Sequence, residues 1–162
     1  MILKISNRIL LKELNNSRRN IKKFRIKAQT SELKRVRQFI SDYANSIGCS
    51  PNKSYEIQLV VDEICTNIIQ YSYNENQTNR LKKLIWIECE GNNKLMIVRI
   101  IDQGEFFDIK QYKAPTIAGK IAHPHKGGWG IPIIKTLVDK IEAKQNDDEP
   151  NKNILELHFK LY

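Results

Sequence analysis

The chain reads as a two-layer α/β (α+β) sandwich, a mixed or antiparallel sheet packed on a helical layer. Three observations carry that expectation. Short runs of period-two alternation recur at 24–28, 83–90 and 155–161, and 94–101 is an apolar run of strand length. Two stretches with apolar residues at helical spacing separate the first run from the second. A third such stretch, opening at Gly130, precedes the last.

Taken in order, Phe24-Arg25-Ile26-Lys27-Ala28 alternates as a strand. Thr30 or Ser31 is expected to cap a helix carrying Leu33, Val36, Phe39, Ile40 and Ala44, with Gly48 closing it. Ser50-Pro51 opens a second helix, proline sitting in the tolerated first turn. Its expected core stripe is Ile57, Val61, Ile64, Ile68 and Tyr71, and residues 73–82 form a polar connection. Ile85, Ile87 and Cys89 alternate with Trp86, Glu88 and Glu90 as a strand. Gly91-Asn92-Asn93 supplies a turn, and 94–101 is apolar on both faces, the mark of a central strand. Residues 105–127 show no regular element, and a connection of that length in a compact domain suits a functional lid. A helix is expected from Gly130 to about Lys144, with Ile131, Ile134, Val138 and Ile141 inward and Pro132 in its first turn. Residues 146–153 read as a polar turn. Leu155, Leu157, Phe159 and Leu161 then alternate with Glu156, His158 and Lys160 as a final strand with one wet face.

A length of 162 residues suits one domain with a real core. The 41% hydrophobic and 28% charged content is that of a soluble globule. No apolar run approaches the ~18–20 residues of a spanning helix. The N-terminus lacks a secretory pattern. Cys49, Cys65 and Cys89 are odd in number and spaced for neither a disulfide frame nor a zinc site, so a reducing cytoplasm is the expected location. The net charge of +9 is unevenly placed. Residues 1–27 hold nine basic side chains against one acid, Glu13, and the remainder is nearly neutral. This divides the chain into a basic extension, 1–23, and a domain, 24–162. The extension either docks on an acidic partner, an anionic lipid surface or nucleic acid, or serves as a solvated arm.

Three motifs carry chemistry. Glu63 and Asn67 stand four residues apart on the flank of the second helix and project the same way. The Asn67 carbonyl oxygen is the hard donor that magnesium takes alongside phosphates, and Glu63 is placed to act as a general base. Asp102 ends the central strand, where it can accept from an adenine amino group, while Gly104 lets a base approach the backbone. Gly127, Gly128 and Gly130 precede a helix whose first N–H groups attract phosphate. Singly, these are also a surface Glu–Asn pair, a plain turn and a flexible helix entry. Their order along the chain is what points to an ATP site.

In this order the chain resembles the ATPase superfamily of gyrase, Hsp90, histidine kinases and MutL, and within it the anti-sigma-factor serine/threonine kinases. The likeness covers about residues 24–162. Its first box is similar to Glu63-Ile64-Cys65-Thr66-Asn67, with Glu as base and Asn as magnesium ligand. Its second is similar to Asp102-Gln103-Gly104-Glu105-Phe106-Phe107-Asp108, with Asp on adenine. Its third is similar to Gly128-Trp129-Gly130-Ile131 running into Pro132-Ile133-Ile134. The resemblance implies a Bergerat-type sandwich, ATP with Mg2+, and phosphate transfer to a serine or threonine of an anti-anti-sigma (STAS) protein. It also implies reversible binding to a sigma factor and a homodimer. Histidine kinases typically carry Asn where this chain has Glu63. The chain's histidines, His123, His125 and His158, lie in the long loop and on a strand, which disfavours autophosphorylation. Before the third box the family often has an acidic or arginine-bearing pair. Here His125-Lys126 stands instead, and Lys126 can reach a phosphate as a point charge.

Two alternatives remain at this level. One keeps the nucleotide site but uses ATP or ADP only to switch partner binding. The other makes the basic extension the working part, on nucleic acid or membrane. The near-neutral body argues against nucleic acid as the main target, and no direct DNA binding is expected.

Overall fold

The computed structural model describes residues 20–72, 83–106, 109, 130–146, 149 and 151–162. In chain order these form β1 (Lys22–Lys27), α1 (Leu33–Ser46), α2 (Pro51–Asn67), β2 (Leu84–Gly91), β3 (Leu95–Asp102), α3 (Gly130–Leu137), β4 (Lys140–Gln145) and β5 (Asn153–Lys160). The strands make one five-stranded sheet of order β1-β2-β3-β5-β4, and every neighbouring pair is antiparallel. An antiparallel sheet under a helical layer is the expected architecture.

Alternation places one residue in two toward the helices. Ile85, Ile87 and Cys89 of β2, Met96, Val98 and Ile100 of β3, and Leu157 and Phe159 of β5 are fully buried on that inner face. The same alternation carries Asp102, two residues beyond Ile100, onto the inner face. β3 lies centrally between β2 and β5, as its two-sided apolar pattern requires. β1 is an edge strand whose Phe24 stacks on Phe39 of α1, ring centroids 5.0 Å apart.

α2 begins where the sequence indicates. Ser50 accepts from Lys53 N at 3.3 Å, and Pro51 takes the first helical position. Gly48, at φ +78, ends the preceding helix in the left-handed region that glycine tolerates.

Three expectations are corrected. Neither Thr30 nor Ser31 caps α1 with its side chain: residues Thr30–Glu32 form a 3₁₀ turn, and Glu32 pairs with Arg35 instead. Tyr71 leaves the core stripe and stands 68% exposed. The end of α2 widens into a π turn over Ile68–Ser72, which rotates Tyr71 away from the face that Ile57, Val61 and Ile64 occupy. The helix expected to reach Lys144 stops at Leu137, and Lys140–Gln145 is β4. Ile141 and Ala143 alternate with Lys140, Glu142 and Lys144, and the whole segment pairs with β5. The handover is abrupt. Val138 N makes the last helical bond to Ile134 O, and Asp139 N already bonds His158 O at 3.0 Å. Long-range pairing outweighs the local 3.6-residue periodicity that Ile134, Val138 and Ile141 also satisfy. The connection 73–82 and nearly all of 105–127 lie outside the described residues.

α3 packs on α2 and is pinned by Ile134, fully buried in the hydrophobic core. Ile134→Ala should lower the unfolding free energy by about 2–5 kcal/mol in urea titrations. A loss under about 1 kcal/mol would mean that this short helix is not seated on the core.

Candidate functional site

The flank of α2 supplies the first wall. Ile64 and Cys65 are buried, which leaves Glu63 and Asn67 half-buried on the adjoining side. Both line a cavity of about 850 Å³ bounded by the end of α2, the end of β3, the start of α3 and the start of β5. Asn67 Nδ2 donates to Glu63 Oε1 at 3.4 Å, so the two side chains converge. That bond uses the amide nitrogen and leaves Asn67 Oδ1 as an oxygen donor for a hard cation. Cys65, between them in sequence, packs inward. Burial, then the charges of Asp62 and Asp102, push its thiol far above its usual range.

The second wall is the end of β3. Asp102 is 8% exposed, yet its carboxylate is well supplied with donors. Gly104 N donates to Asp102 Oδ1 at 2.7 Å, and Asn153 Nδ2 donates to the same oxygen at 3.2 Å. Asn153 Nδ2 also reaches Gly104 O at 2.9 Å. Among the described residues both bonds fall on Oδ1, so Oδ2 is the carboxylate atom left for a donor in the cavity. Burial raises the Asp102 pKa, against the lowering effect of the Gly104 and Asn153 hydrogen bonds. Gly104 has no room for a side chain. A Cβ there would stand 2.5 Å from Ser72 Cβ and 2.6 Å from Ser72 O. Glu105 N donates to Ser72 O at 2.9 Å, which clips the segment after β3 to the end of α2. Gly104 thus lies behind the cavity wall, with Ser72, itself a lining residue, packed against it from the cavity side.

The third wall begins at Gly130, the first residue of α3, followed by Ile131. With Ile64, Ile68 and Leu155 these give the cavity apolar sides on which a flat heteroaromatic ring can rest. Of the ten positions singled out from sequence, Glu63, Asn67, Asp102, Gly130 and Ile131 share this one cavity, and Gly104 supports it. Lys126, Gly127, Gly128 and Trp129 lie outside the described residues.

Sequence reasoning missed three contributors. The polar turn expected over 146–153 stops short of Asn153, which is the first residue of β5 and directly paired with Asp102. Extending the period of Leu155, Leu157 and Phe159 backwards would have placed it on the inner face. The partner 51 residues away has no local signal. Tyr71 and Phe106 stand at the cavity with exposed rings. On the opposite face of the sheet, Glu142, Glu156 and His158 lie close together. Arg99 and Lys140 already neutralise their acids, so this cluster is a charge-paired surface.

The histidine kinase-like ATPase domain family matches residues 26–159, most of the described fold and every described wall of the cavity. The chain belongs to this family. Among related proteins, the serine-protein kinase RsbW of Halalkalibacterium halodurans is 30% identical over 115 residues, covering 68% of this chain and 67% of that protein. RsbW of Bacillus subtilis is 21% identical over 126 residues, covering 75% and 76%. Two solved structures share the fold. One, the RsbU and RsbW domains of a Mycobacterium tuberculosis protein, has a TM-score of 0.56 at 15% identity; it covers 86% of this chain, which spans 32% of that longer one. The other, the SiaB–SiaC complex of Pseudomonas aeruginosa, has a TM-score of 0.56 at 14% identity, covering 93% and 96%.

Because burial raises the Asp102 pKa, the folded chain holds that proton more tightly than the unfolded chain. Its ionised form therefore costs stability. The cost is absent below the ordinary carboxylate range and complete once pH exceeds the raised value. Asp102→Asn keeps an acceptor at Oδ1 and removes the charge. Its melting temperature relative to the parent protein should rise as pH goes from about 3 to about 7. A difference that stays flat across that range would contradict a buried, ionising carboxylate.

Proposed function

We propose that this ATPase-family domain is an ATP-dependent protein serine/threonine kinase that also acts as an anti-sigma factor. Its phospho-acceptor would be an anti-anti-sigma (STAS) protein, and it would hold a sigma factor reversibly, as a homodimer in the cytoplasm. The observation that carries the reading is the convergence of Glu63, Asn67, Asp102 and Gly130 on one cavity. The serine-protein kinase relatives give it a reaction class. No helix among the described residues is long and apolar enough to cross a membrane.

The residues present suit the substrate and its cation. Asp102 Oδ2 would accept from the amino group of adenine, between Ile64, Ile68 and Ile131. The backbone at the start of α3 would face the phosphates, with Gly127, Gly128, Trp129 and Lys126 preceding it in sequence. Asn67 Oδ1 would hold magnesium, whose chemistry is to neutralise charge on the phosphates. Glu63 would orient the acceptor hydroxyl and take its proton. As the new O–P bond forms to the γ-phosphorus, the bond to the bridging oxygen breaks and ADP leaves with that electron pair. Such transfer depends on positioning and charge neutralisation more than on covalent participation by the protein.

Glu63→Gln should bind ATP with near-unchanged affinity but lose about 10²–10⁴-fold in phosphate transfer. A variant that phosphorylates its partner at the parental rate would remove Glu63 from the base role. Asn67→Ala should weaken nucleotide binding in magnesium buffer while leaving binding in chelator unaltered. Equal affinities in magnesium would refute the ligand assignment. The partner itself is tested by capture with magnesium-ATP and with ADP, followed by phosphosite mapping. Recovery of no serine- or threonine-phosphorylated protein under either condition would count against the kinase reading.

A further inference from the structure

Gly130 does more than open a helix. A Cβ built on it would collide with Oε1, Cδ and Cγ of Glu63, all of them inside 3.0 Å. Three successive atoms of one side chain therefore lie against the bare Cα at which α3 starts. The same Oε1 accepts from Asn67 Nδ2. Neither body behind this contact yields easily. α3 is anchored by Ile134, fully buried one turn on, and α2 by Val60, Ile64 and Cys65. The three atoms nearest to that Cβ among the described residues all belong to the Glu63 side chain, so it is the partner that must give.

We propose that Gly130 is a positioning residue for Glu63. Its lack of a side chain makes the start of α3 the stop on which the carboxylate rests, with the Asn67 amide holding it from the other side. Base and phosphate-facing helix are then set by one contact, so the acceptor hydroxyl meets a carboxylate already aligned with the phosphate end of the cavity. This rests on Glu63 being the base. It goes beyond the usual use of such a glycine, which is to let phosphate approach the backbone. An alanine at 130 would drive the carboxylate back by about 1 Å or more. A displacement of that size in a reacting group costs about 10²-fold.

The test is a four-protein cycle on the full chain: parent, Gly130→Ala, Glu63→Ala and the double variant. Thermal unfolding and ATP calorimetry are measured on all four, and phosphate transfer on the first two. Gly130→Ala should lose about 10²-fold in kcat while the KM and Kd for ATP move less than about threefold. It should also melt lower than the parent, because the displaced carboxylate must give up its Asn67 contact. In the Glu63→Ala background the same alanine should cost no stability, because the obstacle is gone and alanine suits a helix better than glycine. If Gly130→Ala alone does not fold but the double variant does, the contact is equally supported. Equal loss of melting temperature in both backgrounds, or failure of both to fold, overturns the proposal. So does a loss of ATP affinity that is the same with and without Glu63, since Gly130 would then serve the nucleotide alone. Should the parent transfer no phosphate to any partner, the kinase reading falls, while the melting cycle still decides whether the contact exists.

Discussion

The pairing of Asp102 with Asn153 is the constraint on which the site depends. It is the last register pair between β3 and β5, and both residues point inward because their strands' alternation leaves them no other side. Burying a carboxylate is costly unless donors replace the water it loses. Here one amide nitrogen serves both Asp102 Oδ1 and Gly104 O, so the acid and the turn after it are fixed by a single side chain. Gly104 can then press against Ser72, and Glu105 can bond the Ser72 carbonyl. The end of α2, with Asn67 one short turn away, is thereby tied to the end of β3. A displacement of Asn153 would be felt on both walls of the cavity.

The two faces of the sheet divide the work. The inner face supplies the apolar burial that holds α1, α2 and α3 in place. The outer face carries a row of charges running from Lys23 to Glu88, Arg99, Glu156 and Glu142. Glu142 and Glu156 oppose one another directly, an arrangement that repels unless bridged. Arg99 and His158 satisfy Glu156, and Lys140 satisfies Glu142. The exposed Lys140–Glu142 pair adds little stability, whereas Arg99 and Glu156 are largely buried and must be paired to stay charged. Together the pairs keep an open sheet face polar. The edge strand β1, with Lys22, Lys23, Arg25 and Lys27, is similarly guarded against pairing with a stray strand.

Much of this was legible in the chain. The alternation of Ile85, Ile87 and Cys89 identified β2, and the doubly apolar pattern of 94–101 placed β3 at the centre. The Ser50-Pro51 start and the Gly48 stop followed from local capping chemistry, which needs no tertiary information. Glu63 and Asn67 were readable as neighbours because a helix fixes their spacing. What escaped shares one physical cause, dependence on distant partners. β4 hides under a helical period because only its pairing with β5 selects the alternative. Tyr71 turns outward because of a local widening that no spacing announces. Asn153 acquires its role from Asp102, far away in sequence. The collision between Gly130 and Glu63 likewise exists only once two helices have met.

The sulfur chemistry of the fold has a practical corollary. Cys49, Cys65 and Cys89 are all free and all buried. Burial pushes the Cys89 thiol up to about 12 and raises Cys49 as well as Cys65. Thiolate, the form that oxidants and alkylating reagents attack, is therefore scarce at physiological pH, and reagent reaches the fully buried Cys65 and Cys89 only when the core opens. Maleimide uptake at these two sulfurs is consequently a clock for unfolding excursions, built into the chain without any engineered label.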